Sequence, residues 1–137
     1  MITASVIDNI ESYHRLHLAD ELLPFFITPT AINNKLSRGV RFYAFTSSQD
    51  DCIAVMNYSK RYSIFKIGQF EYPPVTRSGH RLTAEKEQSF LEDIVTYIKK
   101  HKLCDKILCP PLTDVYYSYP TNLSSTVCRF GNLYIPL

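Results

Sequence analysis

At 137 residues the chain is long enough for one domain with a real core, and its composition (45% hydrophobic, 20% charged) is that of a soluble globular protein. A net charge of +2 is too small on its own to point to nucleic acid or an anionic membrane. No apolar stretch approaches bilayer length, and an N-terminus carrying Asp8 and Glu11 is not a signal peptide. Ten tyrosines without a tryptophan suggest half-buried rings with wet hydroxyls. The four scattered cysteines, Cys52, Cys104, Cys109 and Cys128, read as reduced and mostly buried thiols of a cytoplasmic protein.

In chain order, residues 3 to 23 read as a first helix. Val6, Ile10, Tyr13 and Leu16 recur at spacings of three and four, and Thr3 is a possible cap. Pro24 and Pro29 break regular structure. Thr28 or Thr30 then caps a short helix through Leu36 that Gly39 ends. Three strands follow, Val40 to Phe45, Cys52 to Met56 and Tyr62 to Ile67, separated by polar turns and read together as an antiparallel meander.

A long connection over 68 to 82 leads to the clearest helix. Thr83 is its N-cap, and Glu85 and Glu87 occupy the first turn. Phe90, Leu91, Ile94, Val95 and Ile98 make an apolar stripe, and Lys99 to Lys102 close the helix with positive charge. A short strand, Lys106 to Cys109, stops at Pro110-Pro111. The strand–helix–strand order predicts a right-handed crossover and a parallel neighbour in the sheet. Residues 112 to 127 are polar and tyrosine-rich, and Leu133 to Leu137 form a final strand. The fold class expected is α/β (α+β), a mixed, largely antiparallel sheet flanked by helices.

The residues offer five kinds of candidate chemistry. His101, Cys104 and Cys109 lie close in sequence, but zinc sites prefer tighter pairs and a fourth ligand is not evident, so a solvated histidine and packed thiols are the simpler account. Cysteine catalysis needs a thiolate beside a histidine, and nothing in the sequence puts His14, His17, His80 or His101 there. Gly39, Gly68, Gly79 and Gly131 form no phosphate-cradling loop, which argues against a self-sufficient nucleotide or CoA domain. Residues 38 to 82 hold seven Lys/Arg among aromatics, a pattern that stacking platforms share with solvated strands, so nucleic acid is not favoured. Tyr116, Tyr117 and Tyr119, with Arg129, form a patch in a loop after a strand, where ligand-facing residues tend to sit; rings pinning the loop to the core give the same pattern.

Certain segments carry a resemblance. They are the Pro73 loop with Gly79 ahead of a long helix, the run Phe90 to Lys100, the strand Lys106 to Pro111, Tyr119-Pro120, and the ending Cys128-Arg129-Phe130-Gly131-Asn132-Leu133-Tyr134-Ile135-Pro136-Leu137. From about Tyr72 onward the chain resembles the first half of FemAB-like acyltransferases, a family within the GNAT group of acyl-CoA N-acyltransferases. Pro136 stands where the family pattern has an acidic residue.

The resemblance implies a single GNAT-like domain over residues 1–137, the N-terminal half of a longer protein, forming a substrate groove and inactive alone. It implies no cofactor in this chain, with an acyl-CoA or aminoacyl-tRNA donor handled by a second half. It carries over no catalytic residue and places Tyr116, Tyr117, Tyr119 and Arg129 on the acceptor side of the groove. The terminal ribbon has no polar tail, so the partner expected is the missing half or a homodimer mate bound through Gly131 to Leu137, with no membrane. The alternative is a free-standing binding or assembly module of the same fold. A small stand-alone enzyme has least support, since no nucleophile–base pair is visible.

Overall fold

The computed structural model describes residues 1–18, 23–49, 51–61, 64–108, 126–127 and 133–136, with the backbone alone at Arg61 and beyond Leu108. Among these residues eight strands form one mixed sheet in the order β1-β2-β3-β4-β6-β8-β7, with β5 also on β3. The strands are β1 (Ile2–Ile7), β2 (Arg41–Ser47), β3 (Cys52–Arg61), β4 (Phe65–Phe70), β5 (Val75–Thr76), β6 (Lys106–Leu108), β7 (Thr126–Val127) and β8 (Leu133–Pro136). Among the described residues the helices are α1 (Ile10–His14), α2 (Pro29–Ser37) and α3 (Ala84–His101), with a 3-10 turn at Phe25–Ile27. The expected mixed α+β class, largely antiparallel and flanked by helices, is what the chain adopts.

The first helix is the main correction. Residues 2 to 7 are a strand, antiparallel to β2. Four of its six residues, Ile2, Thr3, Val6 and Ile7, are β-branched and favour extended backbone. Val6 mimics the start of a helical stripe, yet it is 52% exposed while Ile7 is fully buried. The helix begins only at Ile10. Asn9 caps it by accepting from the Ser12 amide at 2.8 Å, in a reciprocal capping box.

The remaining elements follow their local signals. Thr28 caps α2 by accepting from Ala31, and Pro29 occupies the first turn. Gly39, at φ 90°, supplies the left-handed turn that sends the chain from α2 into β2. The meander β2–β3–β4 is antiparallel as expected, but β3 runs on to Arg61 through residues expected as a polar turn, and β4 spans Phe65–Phe70 rather than Tyr62 to Ile67. Thr83 caps α3, and the stripe Phe90, Leu91, Ile94, Val95 and Ile98 is buried. Each such side chain contributes roughly 1.5–3 kcal/mol of burial. Glu87 is buried rather than solvated, with Arg81 Nη2 3.6 Å from its Oε1. The crossover through α3 does bring β6 alongside β4 in parallel, Gly68 opposite Ile107.

The sheet separates two cores. On the α3 face, Tyr43, Phe45, Ala54, Met56, Phe70 and Ile107 pack with the helix stripe. On the other face, Ile7, Phe42, Ala44, Ile53 and Val55 pack with Tyr13, Ile27, Ile32 and Leu36 of the α1–α2 layer. Tyr13 anchors that layer by donating its hydroxyl to the Ile27 carbonyl.

The terminal strand is a second correction. The expectation was an open ribbon, but β8 runs antiparallel to β6 on one side and to β7 on the other. Along the described segment Tyr134 to Pro136 pair with β6, and Leu133 and Tyr134 pair with β7. Among the described residues no helix is long and apolar enough to cross a membrane.

Candidate functional site

The end of β4 carries the most chemically loaded group on the α1–α2 face. Pro73 and Pro74 stop the strand, but the Glu71 amide still reaches the Val55 carbonyl of β3 at 3.0 Å. That bond fixes the Glu71 carboxylate beside Asn57, whose Nδ2 donates to Oε1 at 2.6 Å. Lys35, in the last turn of α2, donates its ammonium to Oε2 at 2.5 Å. The Glu71 side chain is only 5% exposed, so both carboxylate oxygens are held by named donors in a nearly dry setting.

A cleft of about 500 Å³ opens onto this group, bounded by Lys35, Arg38, Gly39, Asn57, Lys60 and Glu71. Its wall carries one buried carboxylate and its rim carries cations. Arg38 and Lys60 are exposed and make no ion pair among the described residues. Two other clefts, of about 570 Å³ between α1 and α2 and about 640 Å³ between β1 and α3, have no buried ionised side chain in their lining.

On the opposite face of β3 lies a second cluster. Lys66 donates its ammonium to the Tyr43 hydroxyl at 2.8 Å and sits 4.3 Å from the Tyr58 ring centre. Tyr43 and Tyr58 stack at 4.4 Å. Burial, and then the neighbouring Tyr43, push the Tyr58 phenol above its ordinary ionisation range, while Lys66 and Arg41 pull it down. Cys104 lies close by, and burial pushes its thiol up to about 11. A thiol so placed is protonated near neutrality and is a poor nucleophile.

The residues singled out from sequence fare unevenly. Tyr116, Tyr117, Tyr119, Arg129, Cys109 and Cys128 lie outside the described residues. Cys52 and Cys104 are buried, as expected of packed thiols. His101 is exposed and lies against the Tyr97 ring at 4.2 Å. Among the described residues no three His, Cys, Asp or Glu side chains converge in a way that would hold a metal. The sequence does not by itself single out Glu71 as a site residue, although between Asp51 and Glu85 it is the one acidic residue in a basic stretch.

The chain is similar in structure to a chain of the NatC complex solved with Gag peptide and CoA, at a TM-score of 0.47 and 15% identity, over 99% of this chain and 98% of that one. No family model and no curated protein matches the chain.

Proposed function

We propose that this chain is the acceptor-side domain of a FemAB-like acyltransferase, moving an acyl or aminoacyl group onto an amine, with Glu71 receiving the acceptor. The donor, acyl-CoA or aminoacyl-tRNA, is handled by a second half, and this chain alone does not turn over. The observation that carries the reading is the buried Glu71 carboxylate, pre-oriented by Asn57 at the wall of an open cleft. The mixed, largely antiparallel sheet flanked by helices supports the reading at the level of fold class.

The chemistry asked of the site is modest. An incoming ammonium takes the place of the Lys35 ammonium on Glu71, since both are cations seeking the same acceptor oxygens. Loss of one proton to the carboxylate frees the nitrogen lone pair. The nitrogen then attacks the donor carbonyl, a C–N bond forms, and the C–S or C–O bond to the leaving group breaks. The second proton follows the leaving group.

Amide chemical shifts of labelled protein, titrated with a simple amine such as an alanyl dipeptide amide, test this. Shifts should concentrate at Asn57, Lys60 and Glu71 and vanish in Glu71→Gln. Shifts elsewhere, or unchanged in Glu71→Gln, would remove the cleft from the reading. Acyl transfer by the isolated chain supplied with acetyl-CoA would remove the half-domain role.

A further inference from the structure

The formal charge of the chain is small, but the fold does not spread it evenly. Ladder pairing sets Arg41 opposite Tyr58, Lys60 opposite Lys66 and Ile67 opposite Lys106, so four strands carry a basic residue at the same end of the sheet, Lys66 being held by Tyr43. Lys35 and Arg38, at the end of α2, meet Lys60 across the Glu71 cleft and extend the row. The acids at this end are Glu71, held by Lys35 and Asn57, Asp105, which accepts from the Lys66 backbone amide at 2.8 Å, and the exposed Asp8 beyond the Ile7–Phe42 pair; the named cations outnumber them. At the junction of β3 and β4, inside this cationic row, two consecutive large apolar side chains face solvent. Ile64 is 88% exposed and Phe65 40% exposed.

We propose that this end of the molecule is a peripheral docking surface for an anionic bilayer. Arg38, Lys60 and their neighbours lie against the headgroups, and Ile64 and Phe65 enter the headgroup–acyl boundary. A cationic rim attracts acidic lipid, and a short exposed apolar pair gains by leaving water there. A nucleic acid would stack on open aromatic faces, and here Phe65 is only partly exposed while the more exposed Ile64 is aliphatic, which favours the acyl boundary. Tyr58 is already stacked by Tyr43, with Lys66 over its ring, and Tyr43 is itself buried. The expectation of no membrane rested on small net charge and the lack of a bilayer-length apolar stretch, and neither registers where surface charges are gathered. The inference stands whether or not the Glu71 cleft takes an amine.

Flotation with phosphatidylcholine vesicles, with or without about 30 mol % phosphatidylserine, tests the proposal. Binding should be at least about tenfold stronger with phosphatidylserine and should fall away near 0.5 M salt, where charge is screened. Arg38→Glu/Lys60→Glu should abolish it. Ile64→Ser should weaken it several-fold while keeping the salt dependence, and its side chain is too exposed to matter for folding, which a urea curve verifies. Equal binding to both vesicles, no binding to either, or indifference to both variants overturns the proposal. So does a folded protein that ignores vesicles but shifts a fluorescent single-stranded oligonucleotide.

Discussion

The Lys66 ammonium donates to the Tyr43 hydroxyl and in the same position covers the Tyr58 ring, so one cation ties three strands together. Because Lys66 draws the Tyr58 ionisation down against the effect of burial, Lys66→Met should move it higher still. The tyrosinate absorbance titration, referenced to Tyr58→Phe, reads this directly. An unchanged titration would mean that the cation is too well solvated to act on the ring.

The Lys35–Glu71 pair should behave as a coupled unit. Lys35→Ala leaves a buried carboxylate with Asn57 as its remaining described donor and should cost about 1–3 kcal/mol in urea unfolding. Lys35→Ala/Glu71→Gln should recover most of that loss, since the uncompensated charge is then gone. Additive costs would show that the pair is screened by solvent.

The raised Cys104 thiol gives stability a defined pH dependence. Its folded value is near 11 against an ordinary value of 9.0, so the unfolded chain loses this proton first as pH rises. The contribution is complete below pH 9 and is lost between about pH 9 and 11, at most about 2–3 kcal/mol. Cys104→Ala should flatten the alkaline fall by that part. Native Cys104 should also resist alkylation at neutral pH.

Gly68 is tightly enclosed. A Cβ there would lie 2.6 Å from Met56 Sδ and 3.3 Å from Cys104 Sγ. The methionine end can swing, but it is fully buried, so Gly68→Ala should destabilise by about 1–3 kcal/mol. Thermal unfolding measures it, and a neutral result would mean that the core around Met56 has spare volume.

The two ends of α3 should respond in opposite directions. Thr83→Ala removes the hydroxyl that accepts from the Lys86 amide and should cost about 1 kcal/mol. Lys102 closes the helix at φ 53°, a left-handed conformation that burdens any side chain, so Lys102→Gly should stabilise by about 0.5–1 kcal/mol. Differential scanning calorimetry of both variants checks the signs.

Local signals made α3 legible in the sequence: Thr83 as cap, the five-residue stripe, and closing lysines all agree. The meander and the parallel β6 were legible for the same reason. β1 was not, because Val6 falls at helical spacing from Ile10 and Tyr13 while Ile7, the residue that is buried, does not enter that stripe. The place of β8 between β6 and β7 was hidden because ladder partners far apart in the chain leave no periodic trace. The Glu71 site escaped for a related reason: Lys35, Asn57 and Glu71 come from three elements and meet only after folding. The tyrosines chosen instead belong to a stretch outside the described residues.

One consequence follows from the way the sheet parts the interior. Alternate residues of β2 and β3 serve different compartments, with Tyr43, Phe45, Ala54 and Met56 facing α3 and Phe42, Ala44, Ile53 and Val55 facing the short helices. Volume changes should therefore compensate one another within a compartment and ignore those across the strands. Such a chain can retune the wall behind its Glu71 cleft without disturbing the lodging of its longest helix.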